Sequence, residues 1–142
     1  MNSVDPAEIF EYMSQCEADK ALNQPRAWYA MGRDDKPESE RGHLKFHQSN
    51  HIVRALFPGN GWGKTTAAGV EVDFWIQHDH PFLQIPPHRI LVLWAMLTFK
   101  NLDSLRTQLE DECLTKGYEW NETKHRYNWT GPMGGSLTFG SN

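Results

Sequence analysis

A turn dense in glycine, followed at once by Lys64 and Thr65 and then by a helical pattern, constrains this chain more than any other feature. The turn Pro58-Gly59-Asn60-Gly61-Trp62-Gly63 separates a nearly continuous apolar run over 52–57 from a helical pattern over 65–75. Strand, glycine-rich turn, Gly-Lys-Thr and helix is the layout of a phosphate-binding loop. Gly59, Gly61 and Gly63 permit backbone angles closed to residues with a Cβ and let main-chain N–H groups, those of Asn60, Trp62 and Thr66 included, close on a polyphosphate. A helix starting near Lys64 points its positive end at that anion. In this reading Lys64 reaches the β- and γ-phosphates of ATP, and the Thr65 hydroxyl ligates Mg²⁺, a hard cation that prefers oxygen. One departure stands out: the motif asks for glycine at position 58, and Pro58 fixes φ and lacks an N–H there. The alternative is a chance glycine-rich turn ahead of an ordinary helix.

Composition narrows the class. The chain has 142 residues, 39% apolar and 12% aromatic, which is enough for a core. A net charge of -4 gives no bulk attraction for nucleic acid, so any such surface is local. Cys16 and Cys113 lie far apart and read as reduced thiols. No apolar run has the length to cross a membrane, and no secretory signal is recognisable at the start.

Along the chain, residues 1–23 read as a helix capped by Asp5, with Pro6 and Glu8 completing the signal. Residues 24–43 lose periodicity and read as a linker or exposed loop. Gln48, just ahead of the expected strand, is a candidate adenine reader, because an amide offers both a donor and an acceptor. His43, Lys45, His47, His51 and Arg54 make a mildly basic stretch that flanks the nucleotide site. The helix after the glycine turn runs to about His78, with Val70, Phe74 and Ile76 suited to packing on a sheet. His78, His80 and His88 match no common metal spacing. The apolar run 89–96 reads as a strand buried on both faces. With 52–57 it closes a βαβ unit and implies a parallel sheet. Leu102, Leu105, Leu109 and Cys113 recur at helical spacing, with Glu110-Asp111-Glu112 on a solvated side, and Gly117 ends that helix. The alternating stretches 126–130 and 136–140, joined by Gly131-Pro132-Met133-Gly134-Gly135, form a hairpin.

With Phe46-His47-Gln48-Ser49, the turn from Gly59 to Gly69 and the closing Gly-Ser-Leu-Thr-Phe-Gly-Ser on the page, the chain resembles the large terminase subunit of tailed bacteriophages over residues 44–142. The resemblance implies an ATPase motor that drives double-stranded DNA into a capsid. It also implies docking on a portal protein, a small terminase subunit as partner, a homo-oligomer at full length, and action in the host cytoplasm without a membrane. By motif match Lys64 is the phosphate lysine and catalytic residue, Thr65 the Mg²⁺ ligand, and Gln48 the adenine contact. Two departures follow. Asn60, Gly61 and Trp62 stand where many relatives carry an arginine, leaving Arg54, Arg89 and Arg126 as candidates for that charge. No apolar strand ending in Asp-Glu is present, so the piece is expected to bind nucleotide better than it hydrolyses it.

The fold expected is therefore α/β: a P-loop NTPase with a mainly parallel sheet, incomplete, preceded by an N-terminal helix and ending in a β-hairpin. Residues 1–43 form the helix and linker, and 44–142 a partial ATPase domain. The alternatives are a helicase-like ATPase, a small-molecule kinase, which the lack of an arginine-rich lid disfavours, and a degenerate loop without enzymatic function.

Overall fold

A computed structural model describes residues 14–15, 25–30, 38–55, 63–124 and 126–141. Among these, helices α1 (Pro25–Ala30), α2 (Glu38–Gln48), α3 (Lys64–Ile76) and α4 (Leu102–Glu112) accompany strands β1 (Leu91–Met96), β2 (Glu119–Thr123), β3 (Arg126–Thr130) and β4 (Ser136–Ser141).

Helix α3 is the centre. Ala67, Gly69, Val70, Glu71, Asp73, Phe74 and Ile76 are all buried on it, so it is covered nearly all round rather than along one stripe. One side meets α4, where Leu109 and Cys113 are buried. Gly69 sets the approach: a Cβ there would lie 2.4 Å from Leu109 Cδ2 and 2.7 Å from Cys113 Sγ. The other side carries α1 and α2, with the Arg26 guanidinium 4.7 Å from the Phe74 ring centre.

The sheet order is β1-β4-β3-β2. β1 and β4 run parallel with Leu91 opposite Ser136, while β3 pairs antiparallel with both β4 and β2. Alternation sends Val92, Trp94, Met96, Leu137, Phe139, Trp129, Tyr127 and Trp120 to one face, where they join the core under the helices. The rings there meet edge-on or tilted, with Trp120 and Trp129 centroids 4.8 Å apart. Gly134, at φ 78, turns the β3–β4 hairpin, and its N–H donates to Gly131 O at 2.9 Å.

Several expectations hold: the helix after the glycine turn, the helix ending before Gly117, and the hairpin at 126–141. Four are corrected. Among the described residues the sheet is not the mainly parallel P-loop sheet expected. The sheet is mixed, with one parallel pair and two antiparallel pairs. Residues 51–55 are irregular, with Ile52 at 102% and Val53 at 85% exposure, and positions 56–57 lie outside the described residues. The reason is local: Arg54 is drawn onto Glu71 at 2.5 Å and donates to Phe46 O at 3.1 Å. That folds 51–55 back on the helices instead of the sheet, so the described part of 52–57 supplies no strand to a βαβ unit with β1. β1 instead takes β4 as its parallel partner. Nor is β1 buried on both faces: Leu91 and Leu93 are 68% and 69% exposed, because β1 is the last strand of the sheet and helices cover one face only. Finally, 25–30 and 38–43 are helical where a linker was expected. The few inward side chains of α1 and α2, Tyr29, Leu44 and His47, gain burial against α3 that no periodicity announces. The expected helix over 1–23 lies outside the described residues except for Ser14 and Gln15, which are helical.

Candidate functional site

The head of α3 is built on Gly63. Its backbone sits in the left-handed region, φ 67 and ψ 27, and among the described residues no side chain makes a cap hydrogen bond there. Gly63 O already accepts from Ala67 N at 2.9 Å. The amides of Lys64, Thr65 and Thr66 precede the first N–H of the helical ladder and point out of the helix end. Lys64 and Thr65 are half-buried in that first turn. A helix N-terminus with this left-handed entry has the geometry that suits an anion. Gly59, Asn60, Gly61 and Trp62 lie outside the described residues.

The other expected site residues separate. The Thr66 hydroxyl is turned to α4, donating to Glu112 Oε2 at 3.0 Å and accepting from Gln108 Nε2 at 3.2 Å. Gln48 is exposed at the far end of α2. The α2 residue that meets the head of α3 is His43, 2% exposed, whose Cε1 would lie 3.4 Å from a Cβ at position 63. Five residues of helix, about 7.5 Å, separate His43 from Gln48. Tyr29 and His43 are joined through the phenol oxygen and Nδ1 at 2.9 Å. Sequence reading placed His43 in a mildly basic stretch flanking the expected nucleotide site, without singling it out. The only available signal was its position four residues before His47, on the same helix face.

Two buried carboxylates on α3 were also missed. Glu71 accepts from Trp75 Nε1 at 2.7 Å, pairs with Arg54, and faces His47 Nδ1 at 2.7 Å and His80 Nε2 at 3.2 Å. His80 Nδ1 accepts from the N–H groups of Phe82 and Leu83, both at 3.2 Å, which places the ring proton on Nε2, toward Glu71. Burial pushes the Glu71 carboxyl up, but the bonds from His47, His80 and Trp75 and the Arg54 charge outweigh it and hold the group well below the usual range. Asp73, fully buried, accepts from Tyr118 Oη at 2.8 Å, from Thr115 N at 3.2 Å and Oγ1 at 3.3 Å, and pairs with Arg26, which also reaches Asp79. Here burial wins over the Arg26 charge and the hydrogen bonds, and the carboxyl is raised. These carboxylates fasten α1, α2 and the segment after α4 to α3, and so fix the direction in which its head points.

Among the described residues no helix is long and apolar enough to cross a membrane. Comparison with protein-family models, with curated proteins and with solved structures found no match.

Proposed function

We propose that this chain binds the polyphosphate of ATP, together with Mg²⁺, at the head of α3, as the nucleotide-binding part of a DNA-packaging motor of the terminase kind. The observation that carries the reading is Gly63, left-handed and with no side-chain cap hydrogen bond among the described residues, at the start of a 13-residue helix whose first turn holds Lys64 and Thr65. The residues present fit the group. A helix this long directs about half a positive charge at its first turn. The amides of Lys64 to Thr66 donate to phosphate oxygens, and the Lys64 ammonium adds a point charge. The Thr65 hydroxyl is the oxygen that would hold Mg²⁺, which when bound neutralises charge across the phosphates. His43 walls the site on the α2 side. Double-stranded DNA, a portal protein, a small terminase subunit and self-association belong to the same proposal and rest on the sequence resemblance.

Calorimetric titration of the chain with ATP and Mg²⁺ tests it. Lys64→Ala is expected to weaken binding tenfold or more, as loss of a charge-assisted bond of about 1.5–3 kcal/mol requires. Equal affinity of the two chains would overturn the reading.

A further inference from the structure

We propose that the contact between His47 and Glu71 is a proton-sensitive latch holding α2 against α3. His47 is 0% exposed. Its Nδ1 lies 2.7 Å from Glu71 Oε2. Its Nε2 is buried as well and meets no hydrogen-bond partner among the described residues. Among the described residues the ring is packed by Tyr29 of α1 at 4.4 Å between centroids, Phe46 of its own helix at 5.5 Å and Phe74 of α3 at 5.8 Å.

This geometry suits one protonation state. With its proton on Nδ1, the neutral ring donates to the carboxylate and leaves only a lone pair among the aromatic rings. A second proton would put a charged, buried N–H at Nε2 with no acceptor among the described residues, which is the costlier arrangement. Charge balance points the same way. Among the described residues the ionisable groups facing the ring are Glu71 of α3, Arg54 after α2, His80 after α3, and the Tyr29 phenol, already bonded to His43 Nδ1. Arg54 already matches the single carboxylate. A protonated His47 would be a second cation on it, out of water. Burial accordingly lowers the His47 pKa from its ordinary 6.5 by more than Glu71 raises it.

The sign follows from the two states. Above pH 6.5 the ring is neutral whether α2 is seated or lifted, and the latch is at full strength. Below that, the lifted form takes up a proton that the seated form refuses. The seated-to-lifted ratio then falls by up to about tenfold per pH unit until the folded pKa is reached. His43 lies on the same helix, one turn earlier, so lifting α2 also withdraws it from Gly63.

Amide hydrogen exchange of the full chain without nucleotide, corrected for intrinsic rates, tests this at pH 5.5 and 7.5. The amides of 43–48 are expected to open up to tenfold more often per unit below 6.5, while those of β3 and β4 keep their protection. His47→Gln, which keeps a donor for Glu71 and cannot titrate, is expected to abolish the dependence. Unchanged opening of α2 between the two pH values would overturn the proposal. Should His47→Gln fail to fold, imidazole NMR of the unsubstituted chain decides instead: a His47 ring titrating below 6.5 supports the latch, and one titrating at or above 6.5 ends it.

Discussion

Gly69→Ala sets two physical effects against each other. On helix propensity alone, alanine at the middle of α3 should stabilise by about 1 kcal/mol. Packing says the reverse. The new Cβ would lie 2.4 Å from Leu109 Cδ2, 2.7 Å from Cys113 Sγ and 3.0 Å from Cys113 Cβ. Leu109 is 0% and Cys113 2% exposed, so neither has open space to swing into. Leu109 can change rotamer only by displacing its core neighbours. Cys113 Cβ is fixed to the backbone, so relief there means sliding α4 by several tenths of an ångström. Overpacking of this kind costs about 1–3 kcal/mol, which exceeds the propensity gain over most of its range. Gly69→Ala is therefore expected to destabilise by about 1 kcal/mol net, and Gly69→Val by about 3 kcal/mol, since it adds two further methyl groups to the same gap. Urea unfolding followed by tryptophan fluorescence measures both. Leu109→Ala in the Gly69→Ala background should cost less than Leu109→Ala alone, because the added methyl partly fills the cavity. If Gly69→Ala raised stability by the full propensity increment, the close crossing of α3 and α4 would be refuted.

Other outcomes follow from the buried charges and thiol. Asp73→Ala leaves Arg26, Tyr118 and the Thr115 N–H without their acceptor and is expected to lower stability by about 3–5 kcal/mol; Asp73→Asn should cost less, since burial already works against the charge. Glu71 has a folded pKa depressed from its ordinary 4.5, so its stabilisation is complete above pH 4.5 and drains away as pH falls further. The difference in urea midpoint between the unsubstituted chain and Glu71→Gln should therefore shrink from pH 5 to pH 3. Burial pushes the Cys113 thiol up to about 12. In a Cys16→Ser background it should resist a thiol reagent at pH 8 until urea unfolds the chain, and rapid labelling of the native protein would contradict its burial.

Local signals were legible where a single element carries them. The turn residues between Thr130 and Ser136 called the β3–β4 hairpin, and the 3–4 spacing of Leu102, Leu105, Leu109 and Cys113 called α4. The glycine turn ahead of Lys64 called the start of α3. The residues around its head were less legible. Gln48 was chosen by its distance from the motif along the chain, and the fold brings His43 there instead. Strand β2 went unread because Glu119-Trp120-Asn121-Glu122-Thr123 is polar, and its pairing with β3 depends on a neighbour rather than on its own pattern.

The sequence by itself determined which stretches could be helix or turn, that a core was possible, and that a helix would begin on a glycine beside a lysine and a threonine. Only the tertiary structure decided what each stretch met. An apolar run such as 52–57 carries β-propensity but not the address of a partner strand, and Arg54 finding Glu71 took its described part elsewhere. β1 found β4 across more than forty residues, a choice made by the fit of the covered face against α3 and α4. The burial of Glu71, Asp73 and His47 likewise has no trace in periodicity, because a charged residue reads as exposed until donors from distant segments converge on it.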